Sequence, residues 1–422
     1  VGSINRPGGV LVQPAPPLRP FPEPALDETA RRGLAEPRLD GAGTRRYPLA
    51  HEVSQALPDA VLGSEPYPLE ALFLYYTNPL FSRTNGADFR RAFERIPFLV
   101  SFSPFLDDST RFADLVLPDH TFLERWQDVP ILPSVGYPVL GIRRPVVEPL
   151  YDTRSTGDVL LEIARRLGPP IAKAFPWKDY RALMAFRLGG LQALGRGSVT
   201  ASSESAFVRA AEAAGGWWDE REPFLPWEEV FRTPSGRFEF FATALRARLE
   251  ALVRPGESPD DLLADLGVAA RGDEAYLPHY EPGRMHGDPE IFPLHLVTYK
   301  PMTRAEGRGA NQPYLQDMGS ITLHEQWSTW LEVNPETARA LAIADGDEAV
   351  LSSPRGSLHV RVRHYPGARP DVVHMPFEQG HRGYGHWASR VGVNPNDILV
   401  RDEDRITGQA DTFCTRVRLG RV

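Results

Sequence analysis

The stretch FSPFLDDSTRFADLVLPDHTFLERW, Phe102 to Trp126, indicates how this chain folds. It begins at the end of the apolar run IPFLVSF, which is typical of a buried parallel strand. A polar loop follows, with Asp107, Asp108, Ser109 and Thr110, and then the short apolar segment ADLVLP. Because ligands of open α/β sheets bind at the carboxyl ends of strands, this loop is a candidate binding site. Its hydroxyls and carboxylates suit a nucleotide's ribose and purine groups better than a bare phosphate, which favours Gly, Lys or Arg.

A second strand is predicted upstream of this loop. The apolar run ALFLYY, Ala71 to Tyr76, is followed by the turn Thr77-Asn78-Pro79. The residues between the two strands include a stretch with helical spacing, so together they form a βαβ unit of about 30 residues. Strands joined by one crossover helix end at the same edge of a sheet. We therefore predict that the turn and the loop that begins at Ser103 face one cleft.

A β-rich block begins near residue 292. LHLVTY is a candidate strand, and NPETARALAIADGDEAVLSS predicts a short helix, an Asp-Gly turn and a further strand. SLHVRVRHY alternates apolar and polar residues, as a half-buried antiparallel strand does. We therefore divide the chain into an irregular segment (1–60), a parallel-sheet α/β domain (61–288) and a β-rich domain (289–422).

Composition limits the class of function. With 422 residues, 42% hydrophobic and 24% charged, the chain suits a soluble globular protein of about two to three domains. The net charge of −8 provides no basic footprint for nucleic acid, so we expect no nucleic-acid partner. No apolar run approaches the roughly 18 residues that span a bilayer. The single cysteine, Cys414, cannot hold an iron–sulfur cluster, which needs about four ligands, and we interpret it as a small core residue.

The block TYKPMTRAEGRGAN, which starts at Thr298, leaves a predicted strand and has three cations, Lys300, Arg304 and Arg308. Cations beside hydroxyls suit a pyrophosphate, although an exposed basic loop without a ligand has the same pattern.

The block GHRGYGHWASRVGVNPNDIL, residues 380–399, contains two histidines five residues apart. Its glycine-rich spacing provides no fixed helix face, and no Cys or carboxylate completes a ligand set, so we predict no metal there. A glycine-rich surface loop with turn-forming asparagines remains the alternative.

Five segments, in the same order, resemble the molybdopterin oxidoreductases of the dimethyl sulfoxide reductase superfamily. The most recognisable is ADLVLP followed by Leu123-Glu124-Arg125; the others are INRPGGVL, YYTNPL, TPSGRFEF and the residues from about 290 onward. The resemblance implies an α/β fold, in which a parallel-sheet domain precedes a six-stranded double-psi barrel that binds a molybdopterin dinucleotide. It also implies a molybdenum or tungsten bis-molybdopterin guanine dinucleotide cofactor.

The resemblance also implies which residues contact that cofactor. The strand-end cleft would bind the guanosine end of one pterin dinucleotide, the block from Thr298 would lie on the second, and residues 380–399 would pass close to the pterins. The implied cofactor-binding residues are Thr77, Asn78, Pro79, Ser103, Asp107, Asp108, Thr110, Thr298, Tyr299, Lys300, Thr303, Asn311, His381, Asn394 and Asn396. A metal ligand is expected upstream of this chain, and none within it.

By this resemblance the chain is the C-terminal half of a catalytic subunit that oxidises or reduces a sulfur compound or an oxyanion by two electrons, coupled to a quinone pool. VNPNDIL and the Gly-His pattern before it are most similar to polysulfide, thiosulfate and tetrathionate reductases. We expect this half to be inactive alone and to pack against the upstream half. A ferredoxin-like iron–sulfur subunit and a quinone-interacting membrane subunit are the expected partners, with any [4Fe-4S] cluster in the missing half or in partners. A periplasmic location, with a twin-arginine signal on the missing half, is also expected.

Two other function classes stay open. The chain also resembles the large subunit of alternative complex III and menaquinone reductase, so it could be a cofactor-less structural subunit of a membrane electron-transfer complex. A simple nucleotide-binding module is the other, but it would not need the terminal barrel. Metal analysis of the purified complex would separate the catalytic subunit from the cofactor-less structural subunit.

Overall fold

A computed structural model describes residues 2–130, 135–220, 224–318 and 325–422. Within them the α-helices are α1 (Glu28–Ala35), α2 (Leu57–Gly63), α3 (Pro79–Ser82), α4 (Gly86–Phe93), α5 (Thr156–Arg166), α6 (Pro169–Ala174), α7 (Tyr180–Ala193), α8 (Glu204–Ala214), α9 (Trp227–Val230), α10 (Thr243–Leu252), α11 (Pro259–Asp265), α12 (Pro313–Asp317) and α13 (Pro335–Ala340). The strands are β1 (Ala71–Tyr75), β2 (Phe98–Phe102), β3 (Leu115–Leu117), β4 (Gln127–Pro130), β5 (Val139–Arg143), β6 (Gly216–Trp218), β7 (Leu294–Tyr299), β8 (Trp330–Val333), β9 (Glu348–Ser353), β10 (Gly356–His364), β11 (Val372–Pro376), β12 (Asp402–Glu403), β13 (Ala410–Asp411) and β14 (Arg416–Arg421). None of the helices in these described ranges is long and apolar enough to cross a membrane.

The chain divides into two compact units. The first joins Val1–Ala35 to Leu117–Phe240, and the second joins Glu36–Val116 to Phe241–Val422. Each unit combines segments that are distant in sequence, whereas the predicted domain ranges are linear. Those linear ranges therefore stay a prediction.

The first unit is built on a small antiparallel sheet in the order β4-β5-β6. Trp217 and Leu140, which face each other in the β5–β6 pairing, are buried together with Leu188 of α7 and Phe207 of α8. Both helices begin at side-chain caps, where Asp179 and Ser203 accept hydrogen bonds from helix N–H groups. Such caps satisfy donors that a helix start leaves unpaired, so the helices pack on the sheet without that cost.

The second unit contains the predicted parallel pair of strands. Strands β1 and β2 pair in parallel from Ala71 opposite Phe98 to Tyr75 opposite Phe102, and β3 lies next to β2. Helix α4 joins the two strands and buries Phe89 and Phe93, which lie on one helical face at a spacing of four residues. The predicted βαβ unit is therefore confirmed, and both strands end at one edge of the sheet.

The second unit also contains a closed barrel of six strands, in the order β10-β8-β11-β7-β14-β9. Two of its pairings are parallel, β10 with β8 and β11 with β7. The pairings of β10 with β9, β11 with β8, and β14 with both β7 and β9 are antiparallel. Alternate residues point inward, so that Leu331, Leu351, Val362 and Met375 form a fully buried core. This barrel and the parallel sheet confirm the predicted fold class.

Candidate functional site

The loops that follow β1 and β2 lie against each other, as predicted. The side-chain oxygen of Asn78 accepts hydrogen bonds from the backbone N–H of Ser109 at 3.0 Å and from its hydroxyl at 2.7 Å. The amide nitrogen of Asn78 donates to Asp108 at 3.1 Å. The Ser109 hydroxyl in turn accepts from the N–H of Leu80 at the start of α3. One asparagine thus joins the two strand-end loops at a single sheet edge.

Asp108 attaches these loops to the glycine-rich block near the end of the chain. One carboxylate oxygen accepts from the backbone N–H groups of Arg382 at 2.6 Å and Gly383 at 3.0 Å. The other lies 2.7 Å from Nδ1 of His381. Burial raises the pKa of Asp108, but the hydrogen bonds from His381 and Asn78 outweigh it and hold the pKa at about 2. Asp108 is therefore an ionised group whose acceptor sites are used inside the protein.

The pKa of Asp108 makes stability depend on acidic pH. The folded-state pKa, about 2, lies below the ordinary value of 3.8, so the stabilisation is complete above about pH 4 and is lost as the pH falls toward 2. The difference between these two pKa values corresponds to about 2 kcal/mol of unfolding free energy. We expect Asp108→Asn to remove this part of the pH dependence, measured by urea denaturation at several pH values. An unchanged pH dependence in the variant would contradict the assignment.

His381 is enclosed by aromatic rings. Its imidazole stacks on Phe81 with ring centroids 3.6 Å apart and on Tyr384 at 4.8 Å. Its Nε2 lies 3.1 Å from the carbonyl oxygen of Gly307, and only 3% of the residue is exposed. Both ring nitrogens of His381 already have partners inside the protein. A ligand could therefore contact only the exposed edge of the stacked ring, which limits the contact that the sequence predicts.

Asn394 and Asn396 are also used internally. Their side-chain amides both donate to the backbone carbonyl of Phe81, at 2.8 Å and 3.0 Å. The side-chain oxygen of Asn394 accepts from the N–H of Asn396 at 3.0 Å. The two asparagines therefore anchor α3, and replacing Asn394 should cost folding stability as well as any ligand affinity.

Gly307 lies where a side chain does not fit. It has a φ of +77°, and a Cβ added there would lie 2.5 Å from both Nε2 of His381 and a ring carbon of Phe81. Gly215 has nearly the same φ, +78°, but open space around it. We expect Gly215→Ala to cost about 1–2 kcal/mol through backbone strain alone, and Gly307→Ala about 1–3 kcal/mol more through overpacking. The free energy of unfolding of both variants is measured by thermal or urea denaturation. If Gly307→Ala lost no more than Gly215→Ala, the rings of His381 and Phe81 would be able to move aside for the added Cβ.

The block that starts at Thr298 is only partly the basic loop that its sequence predicts. Lys300 and Arg308 both pair with Glu306, and the pKa of this carboxyl is lowered chiefly by the hydrogen bond from Lys300. Arg304 is instead fully buried, with Nε and a terminal nitrogen 2.8 Å and 2.7 Å from the two oxygens of Glu378. The expectation that Arg304 is a pyrophosphate-binding cation was wrong, because its charge is used inside the protein.

The hydroxyl oxygen of Thr303 is buried and has no hydrogen-bond partner among the described residues. A buried hydroxyl without a partner costs stability, and a partner supplied by a ligand would remove that cost. Nearby in sequence, the side-chain oxygen of Asn311 accepts from the N–H of Trp387 at 3.1 Å. The Tyr299 hydroxyl donates to Glu332 at 2.6 Å, and burial raises its pKa. Of these groups, Thr303 has the clearest unused hydrogen-bonding capacity.

The remaining predicted residues make local contacts. Asp107 accepts from the N–H groups of Ser109 and Thr110, and burial raises its pKa. The Thr110 hydroxyl pairs with that of Ser101, while Ser103 forms a turn with Phe105. Pro79 begins α3, Thr77 is exposed in the turn before it, and Thr298 lies in β7 opposite Met375.

A cavity of about 390 Å³ opens beside these loops in the second unit. Its walls include His381 and Asn394 together with Arg382, Arg390 and Asp397. Burial raises the pKa of Asp397, which lies 3.5 Å from the guanidinium of Arg382. Sequence reasoning missed these three charged residues, although two arginines among glycines in an already suspected block were a usable signal. The cavity offers cations for phosphate and a carboxylate for N–H donors.

A second cluster of polar residues was also missed. His286 Nε2 lies 2.8 Å from Asp402, whose other oxygen accepts from Arg284 at 2.7 Å, and Cys414 lies beside them. Burial raises the pKa of Cys414 to about 11, so the thiol stays protonated at neutral pH. Cys414 is 1% exposed, which confirms its interpretation as a small core residue. The Arg284 charge already balances Asp402, and we assign no metal to this cluster.

The loops that follow the parallel strands β1 and β2 and the glycine-rich block that follows the barrel strand β11 therefore meet beside a cavity lined by two arginines and a carboxylate. Residues 42–166 match the model of the molybdopterin oxidoreductase family, and residues 294–413 match that of the molydopterin dinucleotide binding domain. The chain belongs to the molybdopterin oxidoreductase family.

Individual known proteins are also similar to this chain in sequence or in fold. The molybdopterin-containing subunit of arsenate respiratory reductase from Chrysiogenes arsenatis is 28% identical over 97% of this chain and 53% of its own length. The molybdopterin-binding-like subunit of menaquinone reductase from Nitratidesulfovibrio vulgaris is 24% identical over 97% of this chain and 47% of its own length. Acetylene hydratase from Pelobacter acetylenicus has the same fold, with a TM-score of 0.65 and 18% identity over 92% of this chain and 50% of its own. The chain spans about half the length of the curated relatives it matches.

Proposed function

We propose that this chain is the C-terminal, cofactor-binding part of a catalytic subunit that uses a molybdenum or tungsten bis-molybdopterin guanine dinucleotide. The reaction is a two-electron reduction or oxidation of an oxyanion or a sulfur compound. When bound, the cofactor supplies the redox chemistry at its metal, while the protein supplies position and electrostatics. An arsenate respiratory reductase subunit among the relatives supports the oxyanion class.

The cavity beside the glycine-rich block carries this proposal. Arg382 and Arg390 can donate to a phosphate, and the carboxylate of Asp397, which lines the same cavity, can accept from the N–H groups of a guanine. Asp108 holds the backbone of this block against the strand-end loops, so these groups are positioned before a ligand arrives. In this role Asp108 and His381 position the cofactor site rather than contact the reacting atoms.

The loop after β7 is the proposed site for the second dinucleotide. Lys300 and Arg308 lie on either side of Glu306, and both are largely exposed, so a phosphate can replace Glu306 as their partner. The Thr303 hydroxyl would gain the hydrogen-bond partner that it lacks. Tyr299 and Asn311 would then shape the walls of this loop through the contacts that they already make.

Replacing Thr303 by valine tests the second site without disturbing the fold. Valine has nearly the same shape, so we expect the free energy of unfolding to change by less than about 1 kcal/mol. Loss of a hydrogen bond to a charged phosphate costs about 1.5–3 kcal/mol, so cofactor retention should fall about tenfold or more. The measurement is molybdenum, tungsten and released guanine nucleotide per chain after purification of the intact protein.

Thr156→Val is the matched control, because the Thr156 hydroxyl is also buried without a partner among the described residues but belongs to the first unit. It should leave cofactor retention unchanged. Equal retention in the Thr303 and Thr156 variants would reject the role of the Thr303 hydroxyl.

The assembly proposed for this subunit follows from the same function. Two-electron chemistry at a buried cofactor needs a path for electrons, which a ferredoxin-like iron–sulfur subunit and a quinone-interacting membrane subunit would provide. A [4Fe-4S] cluster would lie in such partners or in the upstream half of the subunit, at the periplasmic face of the membrane. Co-purification of these subunits with the intact protein, and its cellular fractionation, would test each part separately.

A cofactor-less structural subunit is the second candidate. One observation favours it: Lys300 and Arg308 both already pair with the Glu306 carboxylate. A relative named as molybdopterin-binding-like, rather than molybdopterin-containing, is consistent with this. The structural subunit predicts neither metal nor guanine nucleotide in the purified complex, which separates the two candidates.

A further inference from the structure

The first unit presents an exposed apolar loop of residues 145–151, which follows β5. Val146 is 70% exposed, and Leu150 and Tyr151 are each 76% exposed. Contiguous apolar side chains on a surface mark interaction sites more often than scattered ones do. This loop is therefore a candidate for contact with another molecule.

Hydrogen bonds hold the loop in place. The N–H of Val146 donates to the carbonyl of Leu123 at 2.9 Å, and the N–H of Leu150 donates to the Glu124 carboxylate at 3.1 Å. The other oxygen of Glu124 accepts from the N–H of Thr121 at 2.8 Å. Because the backbone is fixed at both ends, the apolar side chains are kept exposed, and a partner need not spend free energy on ordering them.

Arginines surround a cavity of about 480 Å³ next to this loop. Arg181 is locked by two hydrogen bonds to the buried Glu212, at 2.9 Å and 2.7 Å, and lies 4.3 Å from the ring centre of Trp126. Arg144 and Arg209 also line the cavity, and neither has a hydrogen-bond or ion-pair partner among the described residues. Three guanidiniums and one carboxylate give the lining a net positive charge, in a chain whose net charge is −8.

We propose that this surface binds an acidic segment of a partner protein. Carboxylates of the segment would pair with Arg144 and Arg209, and its apolar side chains would cover Val146 and Leu150. A free oxyanion would satisfy the arginines but would leave the apolar loop exposed, and the cavity is much larger than one such ion. Charge complementarity and the adjoining apolar loop therefore select a peptide of alternating acidic and apolar character.

Selection from a phage-displayed library of random eight-residue peptides on the intact protein tests the proposal. We expect enrichment of peptides with at least two carboxylates and two large apolar residues. A synthetic peptide of the enriched sequence should bind Arg144→Glu/Arg209→Glu at least tenfold more weakly than the unmodified protein. It should bind Arg32→Glu unchanged, because Arg32 is an exposed arginine of the same unit with no hydrogen-bond or ion-pair partner among the described residues.

A second variant separates the two parts of the surface. Val146→Ser/Leu150→Ser should weaken binding of the same peptide several-fold while keeping the arginines, since both side chains are exposed and contribute little to folding. The proposal is overturned if no peptide is enriched, if enriched peptides lack acidic residues, or if the arginine variant binds them equally well. Displacement of the peptide by millimolar inorganic phosphate alone would also overturn it, because it would identify a simple anion site.

Discussion

Glu378→Ala should lower the free energy of unfolding by about 3–5 kcal/mol, one of the largest effects expected in this chain. Glu378 and Arg304 are both fully buried and form two parallel hydrogen bonds. Arg304 also donates to the carbonyl of Leu315 at 3.0 Å, so the pair connects the residues just after β11 to α12. Truncating Glu378 leaves a guanidinium without compensation in a site that excludes water. Equilibrium denaturation with urea measures the loss.

Two further variants decide whether the loss comes from the uncompensated charge. The double variant Arg304→Met/Glu378→Leu should recover a large part of the lost stability, because it removes both charges and retains much of the volume. Asp371→Ala, which breaks the exposed pair with Arg369, should change stability by less than about 1 kcal/mol. A double variant as unstable as the sum of its single changes would contradict the account.

Asp108→Ala should also lower the free energy of unfolding by about 3–5 kcal/mol and should release the glycine-rich block. The change removes the acceptor of two backbone N–H groups and the partner of His381 at once. Asp108→Asn keeps one acceptor oxygen, so we expect a smaller loss, about 1–3 kcal/mol. Limited proteolysis followed by mass spectrometry should show faster cleavage after Arg382 or Arg390 in the alanine variant.

Asp107→Ala is the matched control for that change. Asp107 is equally buried and adjacent in sequence, but it accepts hydrogen bonds from Ser109 and Thr110 of its own loop. Asp107→Ala should therefore lower stability without exposing the glycine-rich block to protease. If both variants were cleaved equally there, the link through Asp108 would not be what holds that block.

Local patterns allowed the parallel strands, their facing end loops and the β-rich C-terminal block to be predicted, whereas the barrel was implied by the family resemblance. The run ending at Phe102 became β2 with the predicted end, since continuous apolar residues followed by a polar loop leave few alternatives. The alternation in SLHVRVRHY predicted the strand β10, in which Leu358, Val360 and Val362 face the barrel core. These features depend on the spacing of apolar residues and on turns, and both are determined by residues that are close in sequence.

The use of single polar groups could not be predicted in the same way. Arg304 resembles a basic surface residue in sequence, and only the position of Glu378, 74 residues away, shows that it is buried. Asn394 and Asn396 resemble ligand-binding amides, but their common acceptor is the carbonyl of Phe81, more than 300 residues upstream. Pairing over such distances depends on tertiary structure, for which a single sequence contains no local signal.

The guanine nucleotide and metal content of the intact wild-type protein tests the central claim most directly. The protein, purified from a host that makes the cofactor, would be hydrolysed in acid, and released guanosine monophosphate, molybdenum and tungsten would be quantified per chain. A bis-molybdopterin guanine dinucleotide subunit should release about two guanine nucleotides for each metal ion. A chain that holds neither, in a folded protein from cells that load other members of the family, would contradict the cofactor role and favour the structural subunit.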